Sequence, residues 1–168
     1  GRTGSYGVGD YDCFLARLNA NGDTVWTRTY GTGLYDEVQS VHQTADGGFI
    51  MAGHTAAFTD FNGDAYLLKT DANGILQWAK VYGLANFRDR GYSVRQTVDG
   101  GYIIAGETNG YGAGGLDMLL IKTDAAGTVT WSKTFGGAND ETARSVRQLP
   151  DGGYILAGYT KTYGAGPG

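Results

Sequence analysis

Residues 64–83 read DAYLLKTDANGILQWAKVYG, and this stretch decides the fold because closely similar text precedes and follows it in the chain. Tryptophans mark the three copies: Trp26 and Trp78 are 52 residues apart, and Trp131 follows after a further 53. A period of this length predicts an array of similar structural units. The 168 residues divide into units 1–52, 53–105 and 106–157, with a partial fourth unit at 158–168.

Every unit contains four short runs of residues that suit β-strands. The first run of the second unit begins at Asp64, which we align with Asp10 and Asp117 in the neighbouring units. Asp-Gly-Gly triplets predict a tight hairpin turn in each unit, since glycine readily adopts the positive φ such turns need. Four antiparallel strands in about 52 residues predict an all-β fold built from β-propeller blades. In the first unit the runs are Tyr11–Leu18, Thr24–Tyr30, Val38–Thr44 and Phe49–Thr55.

The segment from Leu68 to Gly83, LKTDANGILQWAKVYG, resembles the tryptophan-bearing repeat of quinoprotein-type β-propellers. The whole unit is also similar to repeats of secreted bacterial and archaeal surface proteins. This resemblance implies an extracellular or cell-surface location. It also implies that Trp26, Trp78 and Trp131 are structural residues that dock between blades.

The phase of the repeat predicts how the blades are divided along the chain. If the Ser-Val strand is innermost, two whole blades span Val38–Tyr82 and Tyr92–Phe135, and Arg144–Thr160 forms half of another. A closed ring needs about four to eight blades, so we expect flanking repeats or copies of the same chain as partners. Terminal half-blades that complete each other would give a six-bladed ring from two copies, or a filament.

Composition and motifs exclude several classes of function. The net charge is −4 with scattered Lys and Arg, so no nucleic-acid partner is expected. No apolar run approaches the roughly 20 residues of a membrane helix, so no membrane insertion is expected. The G-x-S-x-G, P-loop and H-E-x-x-H motifs are absent, and we identify no catalytic residue. The lone Cys13 is predicted to be a small buried hydrophobic residue.

These exclusions favour a non-enzymatic structural or interaction module, self-assembling through its terminal half-blades. A carbohydrate-binding propeller is the alternative. A propeller enzyme whose site lies outside or across this chain is the third hypothesis.

Two recurring features could bind a ligand on the face with the longer loops. One is a tyrosine within a glycine frame, and the other is an acidic residue four positions before the Ser of the inner strand. Tyrosine rings can stack on sugars, and carboxylates can bind hydroxyl groups or cations. The candidate ligand-binding residues are Tyr6, Tyr111, Tyr163, Asp36, Asp89 and Glu141.

Both features also have a structural interpretation. Each tyrosine would then cap its own blade. The acidic residues would form ion pairs between blades with the basic residues two positions after the same Ser, because buried charges are normally paired. Those basic residues are Arg95 and Arg147, with His42 at the equivalent position of the first unit.

One short segment resembles a calcium loop. Asp60, Asn62 and Asp64 place oxygen ligands at alternate positions, but Ala65 stands where an EF-hand requires glycine. Asp10 and Asp117 also lack the two preceding partners. We therefore expect no metal or cofactor, with calcium at these three residues as the alternative.

Overall fold

The computed structural model describes residues 1–5, 7, 9–56, 63–84 and 86–162. These ranges contain thirteen β-strands and no helix, and therefore no helix that could cross a membrane. The strands are β1 (Arg2–Thr3), β2 (Asp12–Leu18), β3 (Thr24–Tyr30), β4 (Asp36–Gln43), β5 (Phe49–Thr55), β6 (Asp64–Thr70), β7 (Leu76–Tyr82), β8 (Asp89–Gln96), β9 (Tyr102–Thr108), β10 (Asp117–Thr123), β11 (Val129–Phe135), β12 (Glu141–Gln148) and β13 (Tyr154–Thr160).

The strands form four antiparallel sheets in chain order. The first sheet contains β1–β3, the second β4–β7, the third β8–β11, and the fourth β12 and β13. Within every sheet each strand pairs with the one that precedes it, so each sheet is a simple meander. The predicted all-β fold is confirmed, and this sheet organisation is compatible with a β-propeller.

The Asp-Gly-Gly triplets form the hairpin turns between the first two strands of a sheet. Gly47 and Gly100 have φ values of +81° and +82°, a region that side chains other than glycine rarely adopt. Asp46 and Asp99 accept hydrogen bonds from the backbone N–H groups of Gly48 and Gly101, each at 3.0 Å. The local sequence therefore determines where these hairpins reverse.

The strands that carry the Ser-Val motif, β4, β8 and β12, are called the inner strands below. They begin earlier than the sequence predicts. In the structure β4 starts at Asp36 rather than at Val38. The sequence prediction starts late because a β-bulge between Val38 and Ser40 breaks the apolar alternation by which a strand is recognised. Equivalent bulges occur in β8 and β12. Ser40 Oγ accepts a hydrogen bond from the Val94 N–H at 3.3 Å, so β4 and β8 lie side by side in consecutive sheets.

The alignment of Asp10 with Asp64 is wrong. Asp64 opens β6 and pairs with Thr55, whereas Asp12 opens β2 and pairs with Thr3. Asp12 is therefore the counterpart of Asp64.

The hydrophobic core lies in the seams between consecutive sheets. Ile50 and Leu67 of the second sheet pack in one cluster with Ile104 and Leu119 of the third. Cys13 is fully buried in the preceding cluster, as predicted, and burial raises the pKa of its thiol to about 12. Stability should therefore come from sheet-to-sheet stacking, as in other repeat proteins.

Candidate functional site

A buried pair of carboxylates occurs at the same position in three successive repeats. The first pair is Asp12 and Asp36, and an ideal Cβ on Gly31 would lie 2.0 Å from Asp12 Oδ1 and 3.0 Å from Asp36 Oδ2. The two carboxylates thus converge on one point that only a glycine leaves open. Gly83 and Gly136 are placed in the same way against the other two pairs. Those pairs are Asp64 with Asp89, and Asp117 with Glu141.

Loop N–H groups donate hydrogen bonds to one oxygen of the acidic residue at the start of each inner strand. The Thr32 N–H donates to Asp36 at 2.7 Å, and the Leu84 N–H donates to Asp89 at 3.2 Å. Burial opposes ionisation of Glu141, but hydrogen bonds from the Gly137 N–H and from Thr162 and Thr160 lower its pKa to about 2. These carboxylates therefore tie the loop between sheets to the strand that follows it.

The predicted ion pairs between these acidic residues and the basic residues of the inner strands are wrong for Asp36 and Glu141. Asp36 is bonded to Thr32, and Glu141 to Gly137, Thr160 and Thr162. His42 follows Asp36 by six positions along one extended strand, which is about 20 Å at a rise of roughly 3.3 Å per residue. Acidic and basic positions therefore lie at opposite ends of the strands.

Each carboxylate pair brings two acidic side chains together. The described residues contain no group of three or more His, Cys, Asp or Glu side chains that could hold a metal ion. Two carboxylates supply at most four oxygens, fewer than the six to eight that calcium takes. Asp60 and Asn62 of the suggested calcium loop lie outside the described residues, whereas Asp64 is buried beside Asp89.

The structure brings two of the candidate ligand-binding residues together. Tyr111 and Asp89 line one cavity of about 200 Å³ at the seam between the second and third sheets. Burial and the negative charge of Asp89 raise the pKa of the Tyr111 hydroxyl, so the phenol stays a hydrogen-bond donor. Tyr6 and Tyr163 lie outside the described residues. The cavity thus combines an aromatic surface with a carboxylate.

A cavity of the same construction lies at the preceding seam. It has a volume of about 440 Å³ and is lined by Tyr30, Gly31 and Leu76, among others. Tyr82, Gly83 and Val129 occupy the same repeat positions in the smaller cavity. The seam between sheets therefore supplies a repeated concave surface.

Trp26 and Trp78 lie against the tight turn of the following sheet. An ideal Cβ on Gly74 would lie 2.9 Å from the Trp26 ring, and one on Gly127 would lie 3.1 Å from the Trp78 ring. Hydroxyl groups reinforce these contacts, since Tyr30 donates to the Gly74 carbonyl at 2.7 Å and Tyr82 to that of Gly127 at 2.7 Å. Trp131 packs edge-on against Tyr154, with ring centroids 5.7 Å apart.

Sequence reasoning missed Asp12 and treated Asp64 and Asp117 mainly as markers of the repeat. One signal identifies Asp12: each of these aspartates precedes the glycine of the next turn by ten residues, at Gly22, Gly74 and Gly127 respectively. Asp10 does not fit that spacing. Their pairing with a residue of the next inner strand requires knowledge of how the sheets stack.

No known protein-family model matches the chain, and no curated protein is detectably similar to it in sequence. The architecture alone gives the class: antiparallel β-sheets in an arrangement compatible with a β-propeller.

Proposed function

We propose that this protein is a non-enzymatic structural module that assembles with copies of itself by pairing β13 of one copy with β2 of another. The observation that carries the proposal is that β13 exposes side chains that the equivalent strands bury. Ile155 is 56% exposed, whereas Ile50 and Ile103 at the same repeat position are 0% exposed. An exposed apolar edge strand is a template for pairing with another chain.

The strand β2 offers a matching edge at Leu15–Leu18, and the short strand β1, which pairs with β2 at Cys13 and Asp12, would be displaced. In the third sheet, Leu120 of β10 pairs with Ala105 of β9, and Lys122 pairs with Ile103. The same register between two copies places Leu15 opposite Ala157 and Arg17 opposite Ile155. The first sheet of one copy and the fourth sheet of another would then form one four-stranded sheet.

Charge complementarity supports this register. Within the complete sheets, the Lys69 ammonium lies 2.8 Å from Asp46, and that of Lys122 lies 2.8 Å from Asp99. The residue at the lysine position in β2 is Arg17, and the residue at the aspartate position before β13 is Asp151; both are exposed. Pairing two copies would therefore create the same ion pair for a third time.

The outer face of the third sheet also fits a second copy. Trp131 and Phe135 of β11 occupy the positions from which Trp78 and Tyr82 of β7 cover the turn at Gly127. The fourth sheet has only two strands among the described residues and supplies no such turn. In the proposed assembly, the exposed turn at Asn19–Gly22 of the second copy occupies this place.

Light scattering over a dilution series tests the proposal directly. A discrete dimer would support a closed ring of two chains, and particles of indefinite length would support a filament. A monomer throughout the series would overturn self-assembly.

We expect Arg17→Glu to weaken association by about tenfold or more, because it places a negative charge opposite Asp151. The reciprocal change Asp151→Arg should weaken it similarly, and the double variant should restore much of the loss. Lys80→Glu, a charge reversal at an exposed position of β7 whose side chain lies at a seam within one copy, is the matched control. Equal effects of all three single changes, with no rescue, would contradict the proposed register.

Carbohydrate binding is the second candidate function, and the repeated seam cavity favours it. Tyr111→Ala is expected to reduce retention on an oligosaccharide microarray at least about fivefold, since stacking on the ring would be lost. Tyr11→Ala removes a comparably exposed tyrosine outside the cavity and should leave retention unchanged. Unchanged binding by the Tyr111 variant would exclude this cavity as the sugar site.

A further inference from the structure

Three inner strands present a basic side chain at the same repeat position, near the face of the tight turns. These residues, His42, Arg95 and Arg147, together form what we call the basic cluster. They line an open cavity of about 490 Å³ together with Gln96, Val98 and Gln148. None of the described carboxylates lines this cavity.

The charge of the basic cluster is not neutralised within the described part of the chain. The ion pairs there join other cations, namely Arg2, Lys69, Arg88, Lys122 and Lys161, to their acidic partners. The aspartates of the adjacent turns, Asp46 and Asp99, are engaged by Lys69 and Lys122. Arg95 donates to the carbonyl of its own neighbour Val94 at 2.7 Å.

The positive charge of Arg95 contributes to the protonation state of His42. Burial and the neighbouring charge of Arg95 lower the pKa of its imidazole, so the ring is predominantly neutral at pH 7. Its Nδ1 is buried and has no hydrogen-bond partner among the described residues. His42 thus adds a neutral polar group beside the two guanidinium groups.

Hydrogen bonds between sheets hold the walls of this cavity. Gln96 Oε1 accepts from the Ala45 N–H at 2.8 Å, and Gln148 Oε1 accepts from the Val98 N–H at 2.9 Å. Each bond joins an inner strand to the turn of the preceding sheet. The two arginines are therefore carried by neighbouring strands in a cross-linked frame, which lowers the entropic cost of binding.

We propose that the basic cluster binds a tetrahedral oxyanion, the phosphate or sulfate group of a larger ligand, between Arg95 and Arg147. Guanidinium groups bind such oxyanions through paired, charge-assisted hydrogen bonds. The cavity volume exceeds that of a bare anion and leaves room for the group to which it is attached. The net charge of −4 gives the protein no general attraction for anions, so binding would depend on this local cluster.

Isothermal titration of the whole protein with inorganic phosphate, and separately with inorganic sulfate, tests the site. Saturable binding of either ion is expected at low ionic strength, and a sugar monophosphate and a sugar monosulfate then distinguish the two sources. Arg147→Gln should weaken binding about tenfold or more, because it removes a charge-assisted contact. Arg147 is exposed, so this variant should fold normally.

The double variant Arg95→Gln/Arg147→Gln should abolish measurable binding. Its matched control is Lys80→Gln/Lys133→Gln, which removes the same charge from exposed positions on β7 and β11. Absence of saturable binding by the unaltered protein, or equal losses in the double variant and the control, would overturn the proposal. The site belongs to a single chain, so the result is independent of whether copies assemble.

Discussion

Gly106→Ala is expected to lower the free energy of unfolding by about 3 kcal/mol, near the upper end of the usual cost of overpacking. An ideal Cβ at this position would lie 1.7 Å from the Arg90 carbonyl oxygen and 2.8 Å from its carbonyl carbon. Both atoms belong to the backbone of β8, next to the bulge between Gly91 and Ser93. No side chain can rotate away to relieve this clash, so the sheet itself must shift.

Urea unfolding followed by tryptophan fluorescence measures the loss as a lower transition midpoint with an unchanged slope. Gly33→Ala is the matched control, since nothing lies within 4 Å of its ideal Cβ, and it should change stability by less than about 0.5 kcal/mol. Equal midpoints for the two variants would show that β8 and β9 do not approach each other as described. An ideal Cβ on Gly53 would lie 1.7 Å from the Glu37 carbonyl oxygen, so Gly53→Ala should behave like Gly106→Ala.

Glu107→Leu is expected to lower the free energy of unfolding by about 3 kcal/mol, the lower end of the range for removing one partner of a buried ion pair. Glu107 is only 1% exposed and pairs with Arg88. It also accepts hydrogen bonds from the Tyr92 hydroxyl at 2.8 Å and the Thr142 hydroxyl at 2.7 Å. Thr142 lies in the fourth sheet, so the variant breaks a link between sheets and leaves two hydroxyl groups without an acceptor.

The orphaned hydroxyl groups provide a test of that mechanism. Adding Tyr92→Phe and Thr142→Ala to the Glu107→Leu variant should recover about 1 kcal/mol or more, because removing unsatisfied partners removes their desolvation penalty. Glu107→Gln keeps an acceptor and the side-chain size, so its loss should be smaller than that of Glu107→Leu. A further loss in the triple variant, measured by the same urea transition, would show that packing rather than hydrogen bonding governs this position.

The repeat predicts much of the fold because each strand and turn has a local cause. The spacing of Trp26, Trp78 and Trp131 defines the units, and the Asp-Gly-Gly turns define the hairpins. The bulge at Val38 is not visible in the sequence, because an inserted residue disturbs the alternation by which a strand is recognised. The predicted starts of the inner strands were therefore two or three residues too late.

The candidate sites depend on contacts between sheets, which periodicity cannot provide. Asp89 at the start of β8 and Tyr111 in the loop between β9 and β10 are 22 positions apart in sequence and line one cavity. Asp36 and Arg95 carry opposite charges, and a sequence alone does not show that they lie at opposite ends of neighbouring strands. Strand pairing alternates side chains between two faces, but the partner on each face is determined by how the next sheet stacks.

The short strand β1 has a kinetic consequence for any exchange of strands between molecules. Among the described residues, Arg2 and Thr3 pair with Cys13 and Asp12 at one end of β2, and the Gly1 carbonyl accepts from the Phe14 N–H, whereas Leu15–Leu18 have no strand partner on this side. In the proposed assembly, β13 of another copy would form its first hydrogen bonds at Leu18. Its pairing would then extend toward Asp12 and displace β1 one residue at a time. The four residues Leu15–Leu18 would determine the association rate constant, whereas all seven residues of β2 would determine the equilibrium constant of association.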